Sequence, residues 1–479
     1  MLFNSLEFLV FLPIVFFLYW FVCNRNYKIQ NTFIVVASYI FYGWWDWRFL
    51  LLIAFTSLCS WLAGLCIEKH HEKAKLINAC NIILNLTILG IFKYYDFFVQ
   101  SFADAFLGGN SEGLLLNIIL PVGISFYTFQ ALSYSIDVYK GKISATKDMI
   151  QFFAFVSFFP QLVAGPIERA TNLLPQFAKP RTFEYSVAVD GCRQMLWGFF
   201  KKIVIADNCA PIVDQIFSNY QTINGATLLI GAVLFSFQIY GDFSGYSDIA
   251  IGVAKLFGIQ LKQNFSIPYF SRDIAEFWRR WHISLTTWFR DYVYIPLGGS
   301  RCSKIKVARN TMVIFLLSGL WHGANWTFIV WGMYHALLFL PLIMLGKNRK
   351  YTDTVGSNSS FPSIKECAQM CSTFLFVALG WIIFRSETIV DAYNYIAGIF
   401  DSSFFEMRRN VSVQYNPILQ TFAFIVFMVS MEWMFRRKRF CMDFSNDSNK
   451  FIRIACYYAL LFAIFMFGAQ PAQFIYFQF

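Results

Sequence analysis

The stretch T-M-V-I-F-L-L-S-G-L-W-H-G-A-N-W-T-F-I-V-W-G-M-Y-H-A-L-L-F-L, residues 311–340, decides the class of fold. An apolar run at 308–321 meets a polar break that begins at His322, and a second apolar run follows at 326–345. The first run gives about 14 helical positions, roughly 21 Å, against a hydrocarbon core of about 30 Å. The pattern predicts a short helix ending inside the bilayer at His322, followed by a full membrane span.

The composition of the whole chain supports a membrane protein. Of 479 residues, 57% are hydrophobic, 20% are aromatic and 14% are charged, whereas soluble domains carry about 25% charged residues. The N-terminus lacks the basic region and cleavage site of a signal peptide, so we interpret it as the first permanent span. The formal charge of +11 fits basic cytoplasmic loops better than nucleic-acid binding. The 11 cysteines are scattered without C-x-x-C pairs, which predicts membrane-core residues rather than zinc ligands or disulfides.

The apolar runs predict one all-α polytopic membrane domain over 1–479, with its core at 158–335 and further C-terminal spans within 367–470. Residues 149–164 form a short apolar run that ends in F-F-P-Q-L-V-A-G-P-I-E-R, where Pro and Gly interrupt the helix just before charges appear. This pattern predicts a re-entrant or broken segment buried in protein. The predicted spans are 6–22, 29–43, 49–67, 76–98, 114–136, 187–206, 226–240, 308–321, 326–345, 367–384, 414–434 and 452–469.

Loop charge predicts the orientation. Basic loops at 24–28, 68–75 and 137–148 alternate with non-basic ones, so the positive-inside rule places them in the cytoplasm. The same rule places the N-terminus and the C-terminus outside. Arg408 and Arg409 fall in a predicted outer loop and count against this topology.

A basic region precedes the polar break. Residues 259–309 hold nine basic and three acidic residues, a net charge of +6. Their Arg–Trp mixture predicts helices half-sunk on the cytoplasmic side, with apolar bodies inward and charged tips in water. Such a field suits a phosphate-rich donor such as a coenzyme A thioester, although anchoring alone explains the charge equally well. Asp242 lies among small residues, which predicts a close-packed or water-lined site.

His322 is the sharpest candidate for chemistry. An ionisable side chain at bilayer depth is costly to keep, and an imidazole there can serve as a general base that deprotonates a hydroxyl. Asn325 and Trp326 follow and could orient a substrate. The alternative is a histidine that fixes helix packing. For His335, four positions after Trp331 on a helical face, a hydrogen-bonded core histidine is the better interpretation.

Four motifs resemble the membrane-bound O-acyltransferase (MBOAT) family, and within it the bacterial alginate O-acetyltransferase group. The resemblance covers roughly 1–470, and the last two motifs together are highly specific. The motifs are F-F-P-Q-L-V-A-G-P-I (158–167), G-D-F-S-G-Y-S-D-I-A-I-G (241–252), F-W-R-R-W-H-I-S-L-T-T-W-F-R-D-Y-V-Y-I-P-L-G-G (277–299) and G-L-W-H-G-A-N-W (319–326).

This resemblance implies a ring of tilted helices around a central tunnel, with re-entrant and amphipathic cytoplasmic helices. It implies His322 as the essential histidine and His282 as the second signature position. It implies acetyl-CoA as donor substrate, with no bound cofactor and no metal. The acetyl group would reach an exopolysaccharide outside the inner membrane, through an extracytoplasmic SGNH-hydrolase-like acetyltransferase. The predicted donor and substrate contacts are Asn325, Trp326, Arg279, Arg280, Trp281, Asp242 and Tyr292.

Several alternatives stay open at this point. Direct transfer is favoured over an acyl-enzyme, because nothing marks Ser284 or Ser318 as a nucleophile. A family member that passes D-alanine from a carrier protein to teichoic acid would share both histidine motifs. A broken helix with buried polar residues also describes a transporter or flippase. A scaffold for polysaccharide synthesis, without chemistry of its own, is the third alternative.

Overall fold

The structure is a computed structural model that describes residues 1–109, 111, 113–357, 359–406, 415–444 and 449–475. Every regular element within these ranges is helical. Seven helices are long and apolar enough to cross a membrane, which confirms the all-α, multi-pass prediction. The ring of tilted helices and the tunnel stay predictions. The seven helices are Arg48–Lys69, His71–Phe106, Gly225–Leu256, Trp326–Met344, Ile364–Arg385, Asn416–Met434 and Lys450–Phe467.

The chain divides into two compact units. The first comprises Met1–Cys192 with Ala250–Lys262, and the second comprises Arg193–Ile249 with Gln263–Phe479. The prediction of a single domain over the whole chain stays a prediction. Each unit is described by itself below.

The first unit is organised around one buried helix. Helix Ile124–Tyr139 is covered almost along its whole length, and it packs so closely on Arg48–Lys69 that a Cβ at Gly64 would lie 2.5 Å from the Tyr134 ring. Its other helices are Leu6–Phe17 with the π-helical turn Leu18–Val22, Tyr27–Gly43, Ala74–Phe106, Met149–Ser157, Phe159–Leu162, Ala170–Phe177 and the beginning of Tyr185–Phe199.

Two predicted segments of this unit can be compared with the structure. The span predicted at 114–136 is wrong at its start, because the helix begins only at Ile124. Pro121 and the left-handed Gly123, with φ +76°, stop the helix from extending further towards the N-terminus. Residues 149–164 are broken, as predicted: two short helices meet at Phe158, whose ψ of 108° interrupts the helical ladder.

The second unit holds the remaining spans. The predicted span 226–240 and the motif 241–252 form one continuous helix, Gly225–Leu256. The glycines of the motif let this helix pack closely against its neighbour. A Cβ at Gly245 would lie 2.8 Å from the carbonyl oxygen of Gly198. The unit's other helices are Phe200–Ala206, Asp207–Ser218, Pro268–Phe270, Ile274–Arg280, Ile283–Phe289, Arg290–Tyr294, Lys304–His322, Trp326–Met344, Ile364–Arg385, Ile389–Ile399, Ser402–Phe405, Tyr415–Met434 and Lys450–Phe467. Arg408 and Arg409, which count against the predicted topology, lie outside the described residues.

A tight helical hairpin carries the polar break. Its first helix begins at Lys304 rather than at residue 308, so the prediction of a short half-helix is wrong. Its 19 residues span about 28 Å, because the helical backbone continues through charged residues that the apolar pattern excludes. The helix ends at His322, as predicted, and the next helix is Trp326–Met344. A Cβ at Gly319 would come under 3.0 Å from the carbonyl oxygen of Phe328, so the two backbones nearly touch.

Candidate active site

The structure brings together the two histidines that the sequence places 40 positions apart. The ring centroids of His282 and His322 are 6.5 Å apart. His282 precedes helix Ile283–Phe289, and His322 is the last residue of Lys304–His322. Both side chains are buried, at 1% and 4% exposure. The candidate site is therefore a pair of imidazoles inside the second unit.

Asn264 holds His282 in place. The backbone of His282 is left-handed, with φ 43° and ψ 54°, a conformation that few residues other than glycine adopt. The Asn264 side-chain oxygen lies 3.1 Å from His282 Nδ1, and the Asn264 carbonyl accepts from the backbone N–H of Ile283 at 2.9 Å. Sequence reasoning missed Asn264, since a single Asn in the extended segment before Pro268 gives no periodic signal.

Burial also sets the charge of His282. Loss of hydration lowers the pKa of this imidazole to about 3. His282 is therefore uncharged at neutral pH, and one of its ring nitrogens carries a lone pair.

Aromatic rings surround His322. Its ring centroid lies 5.1 Å from Trp321, 5.2 Å from Trp331 and 5.4 Å from Phe384. These walls exclude water and lower the local dielectric constant, which strengthens any polar contact made inside. The same walls enclose the imidazole, so a substrate reaches it only when a side chain moves.

His335 also contacts Trp331, at 5.1 Å between ring centroids, and it packs 5.1 Å from Trp278. It is fully buried, as expected of a core histidine. However, neither ring nitrogen has a hydrogen-bond partner within the described ranges, so the expected hydrogen bond is not seen.

The two arginines predicted to contact the donor are bound to protein groups. Arg279 donates to the carbonyl oxygens of Asn348 and Tyr351. Arg280 donates to Glu276 at 2.8 Å and to the carbonyl oxygen of Asp353 at 3.1 Å. These bonds fasten the loop after helix Trp326–Met344. Their role towards a donor stays a prediction.

Asn325 and Trp326 stand at the start of the second hairpin helix. Asn325 is its N-cap: the side-chain oxygen accepts from the Thr327 N–H at 3.0 Å, and the side-chain nitrogen donates to the Glu387 carbonyl at 2.9 Å. Trp326 is 50% exposed. The capping contacts give Asn325 a structural role, and its role towards substrate stays a prediction.

The other predicted contacts lie on different elements. Trp281 is buried, with its ring 4.9 Å from Trp381. Tyr292 lies in the π-helical turn Arg290–Tyr294, with its ring 5.0 Å from Trp288. The structure does not test their roles towards substrate.

Asp242 belongs to a buried ion-pair cluster that the sequence did not reveal. Lys202 Nζ lies 2.7 Å from carboxylate oxygens of both Asp242 and Asp207. Asp242 also accepts the backbone N–H of Ile475 at 2.7 Å. The close-packed environment predicted for Asp242 is confirmed, and removing its lysine would leave two uncompensated buried charges.

A cleft with charged walls lies near His282. Inside it, Lys201 pairs with Asp248 at 2.5 Å, and Tyr240 donates to Glu432 at 2.6 Å. Phe265 lines the cleft and also stacks with His282 at 6.3 Å. Further lining residues are Arg436, Lys438, Arg439 and Cys441.

Metal ligands are not grouped in the described part of the chain: it contains no cluster of three or more His, Cys, Asp or Glu that could hold an ion.

The family model of MBOAT, the membrane-bound O-acyltransferase family, matches residues 36–358. This chain belongs to that family. The match spans both histidine motifs and the broken segment at 149–164. The family assignment, together with the relatives below, confirms the prediction of an O-acyltransferase.

Curated relatives in the family differ in their sequence identity to this O-acyltransferase and in the share of its length that they cover. The chain is 40% identical to the probable alginate O-acetylase AlgI of Pseudomonas aeruginosa over 405 residues, 84% of this chain and 75% of the relative. It is 33% identical to the peptidoglycan O-acetyltransferase of Helicobacter pylori, covering 100% of this chain and 98% of the relative. The teichoic acid D-alanyltransferase of Bacillus subtilis is 30% identical over 57% of this chain and 70% of the relative.

Proposed function

We propose that this O-acyltransferase takes an acetyl group from acetyl-CoA on the cytoplasmic side and passes it across the inner membrane to a hydroxyl of an extracytoplasmic polysaccharide. The relatives that match most of the chain are named for acetylating alginate and peptidoglycan, which supports this acceptor class. The acetyl group reaches the polymer directly or through an SGNH-hydrolase-like partner. The observation that carries the proposal is the buried pair His282 and His322, 6.5 Å apart.

His322 is the proposed general base. It takes the proton of the acceptor hydroxyl while that oxygen attacks the thioester carbonyl. A C–O ester bond forms, the C–S bond breaks, and the proton passes to the departing thiolate. Asn325 or a backbone N–H stabilises the oxyanion. Because the Asn325 amide already donates to Glu387, a backbone N–H at the helix break is the better candidate.

The charged cleft is the proposed mouth for the donor. Phe265 forms part of its wall, and its ring centroid lies 6.3 Å from that of His282, so this side chain connects the cleft with the imidazole pair. Arg436, Lys438 and Arg439 line the same cleft and supply positive charge for the donor's phosphates. Like Arg279 and Arg280, these cations already have protein partners: Arg436 donates to the Val355 carbonyl at 3.2 Å, and Arg439 pairs with Asp443 at 3.2 Å.

Access to the pair requires motion. His282 and His322 are 1% and 4% exposed, so a tunnel from either side opens only when an aromatic wall shifts. Phe265 on the donor side, and Trp321 or Phe384 beside His322, are the rings that would move. The basic segment 436–439 faces the cytoplasm in this proposal, and both termini lie outside.

The experiment replaces His322 by Ala and measures acetylation of the secreted polymer at equal protein level in the membrane. We expect a loss of about 100-fold or more, the usual contribution of a general base. His71→Ala, which changes an exposed histidine at the start of helix His71–Phe106, serves as the matched control and should keep full activity. If His322→Ala retains most of the activity, the assignment of the base is wrong.

D-alanine transfer to teichoic acid is the second candidate, supported by the 30% identity to the Bacillus subtilis enzyme. The donor distinguishes the two functions. Purified protein that releases thiol from acetyl-CoA without a carrier protein supports acetyl transfer, whereas dependence on a D-alanyl carrier protein supports the alternative.

A further inference from the structure

The left-handed turn at His282 is held by one side chain. The Asn264 side-chain oxygen lies 3.2 Å from the backbone N–H of Ser284, 2.9 Å from its hydroxyl and 3.1 Å from His282 Nδ1. The Asn264 side-chain nitrogen donates to the Ser247 hydroxyl at 3.3 Å. All four groups belong to the second unit and are buried.

The backbone N–H of Ser284 fixes which way the Asn264 amide faces. A backbone N–H can only donate, so the atom of the Asn264 amide that faces it must be the oxygen. The oxygen and nitrogen of an amide are otherwise nearly indistinguishable in shape, and this obligate donor removes the ambiguity. The Ser247 hydroxyl then accepts from the nitrogen, which is consistent with the same orientation.

The orientation of the amide decides the tautomer of His282. The Asn264 oxygen can only accept, so a hydrogen bond across the 3.1 Å that separates it from His282 Nδ1 requires the proton on Nδ1. The Ser284 hydroxyl lies 3.5 Å from Nδ1 but 2.9 Å from the Asn264 oxygen, so we assign its proton to the amide oxygen and not to the imidazole. In an uncharged imidazole the other nitrogen, Nε2, then holds the lone pair. Nε2 is buried and has no hydrogen-bond partner among the residues that the structure describes.

We infer that Asn264 is a positioning residue that locks His282 in its Nδ1–H tautomer, so that His282 offers Nε2 as a hydrogen-bond acceptor beside His322. The inference rests on the proposed function. Within that function it means that uncharged His282 accepts a hydrogen bond from a substrate hydroxyl or from the other imidazole. It also means that His282 is not the donor that stabilises the oxyanion.

The first experiment follows the pH dependence of acetyl transfer. Membrane vesicles that carry the full-length protein are assayed for thiol release from acetyl-CoA, with alginate oligosaccharide as the acceptor. Asn264→Asp keeps an acceptor for all three donors but adds a negative charge, which stabilises the imidazolium form of His282. We expect this variant to work within about fivefold of wild type at pH 8 and to lose activity on acidification at least one pH unit earlier.

Asn264→Leu removes the acceptor while keeping similar volume. We expect its rate to fall about 10- to 100-fold at every pH, as is typical when the group that fixes a histidine tautomer is lost. Asn85→Leu removes another buried Asn, bound to Ser60 and Asn81 in the first unit, and measures the general cost of such a change. The inference is wrong if Asn264→Asp and Asn264→Leu lower the transfer rate and the thermal stability in parallel and the pH at which activity is lost on acidification does not change. Asn264 would then have only a structural role.

The second experiment does not depend on activity. Ring-¹⁵N-histidine spectra of the full-length protein in lipid are compared with those of His282→Gln, and the difference reports the nitrogens of His282. We expect a protonated Nδ1 and an unprotonated Nε2 at neutral pH. A protonated Nε2 would overturn the inference even if the enzyme is fully active, whereas the expected spectrum in a protein without transferase activity would contradict the proposed function alone.

Discussion

Trp331 contacts two histidines whose surroundings are alike in burial and different in polarity. The ring centroid of His322 lies 5.2 Å from that of Trp331, and the ring centroid of His335 lies 5.1 Å from it. Both imidazoles are buried among aromatic rings. Only His322 stands at the end of a helix with a second imidazole 6.5 Å away. Burial alone therefore does not separate the two histidines; a neighbouring imidazole and a break in the backbone distinguish His322, the proposed general base, from His335.

The difference lies in how each region supports its polar groups. On the His322 side, Asn264 anchors His282 through a fixed set of hydrogen bonds. His335, by contrast, packs against aromatic rings, among them those of Trp278, Trp331 and Tyr334. An anchored imidazole is held in one orientation, whereas one held by packing alone can be exchanged for an apolar side chain of similar size.

The largest expected effect comes from replacing His322 and His335, each in turn, by leucine. We expect His322→Leu to reduce acetyl transfer about 100-fold or more. We expect His335→Leu to change it less than about twofold and to leave thermal stability equal or slightly higher, because an unpaired buried polar ring is replaced by an apolar group. Polymer acetylation and the midpoint of thermal unfolding in lipid measure the two results.

The comparison fails if both leucine variants lose activity equally while remaining folded. That result would assign His335 a part in the reaction. Equal retention of activity would instead remove His322 from the mechanism.

A second prediction concerns the helical hairpin that carries His322 and His335. A Cβ at Gly319 would lie under 3.0 Å from the Phe328 carbonyl, a backbone atom that cannot move aside cheaply. Gly319→Ala must therefore push helix Lys304–His322 away from its partner and displace His322. We expect a loss of about 1–3 kcal/mol in stability, with reduced acetyl transfer, measured by thermal unfolding and polymer acetylation.

Gly90→Ala is the matched control for this variant. Gly90 is also in a long helix, but a Cβ there meets nothing within 4 Å. Alanine favours the helix over glycine by up to about 1 kcal/mol, so this variant should be as stable as wild type or more so. If both variants behave alike, close helix contact does not position His322.

Sequence predicted the parts of this protein that depend on apolar periodicity and on specific motifs. The helical membrane class, the helix end at His322 and the break at Phe158 are all seen in the structure. Apolar runs located the spans because the bilayer requires about 20 apolar residues to cross it. They misplaced the starts at Ile124 and Lys304, since a helix can extend past the apolar run or begin after a proline and a left-handed glycine.

Polar partners were the part that sequence could not reveal. Lys202, which joins Asp242 to Asp207, and Asn264, which holds His282, come from segments distant from the motifs they serve. Each is a single residue without periodicity, and its partner is decided by packing. The arginines at 279 and 280 show the same limit: their charge predicted contact with a donor, which stays a prediction, and their protein partners, backbone carbonyls and Glu276, were not foreseen.

The smallest expected effect concerns the pH dependence of stability, and it sharpens the contrast between the anchored His282 and an exposed histidine. Burial lowers the pKa of His282 from 6.5 to about 3. Between these pH values the imidazole of residue 282 is protonated in the unfolded chain and unprotonated in the folded chain. The free energy of unfolding therefore increases with pH. The contribution of His282 to the free energy of unfolding is complete above about pH 6.5 and is lost as the pH falls towards about 3.

The slope is about 1.4 kcal/mol per pH unit, so acidification to about pH 5.5 should cost wild type about that amount through His282. His282→Gln has no imidazole to protonate at this position, and its unfolding midpoint should fall less between pH 7.5 and pH 5.5. His71→Gln, which changes an exposed histidine, should keep the wild-type dependence of the unfolding midpoint on pH. Identical pH dependence in wild type and His282→Gln would mean that water reaches the His282 imidazole in the folded protein, so that this histidine is as hydrated as an exposed one.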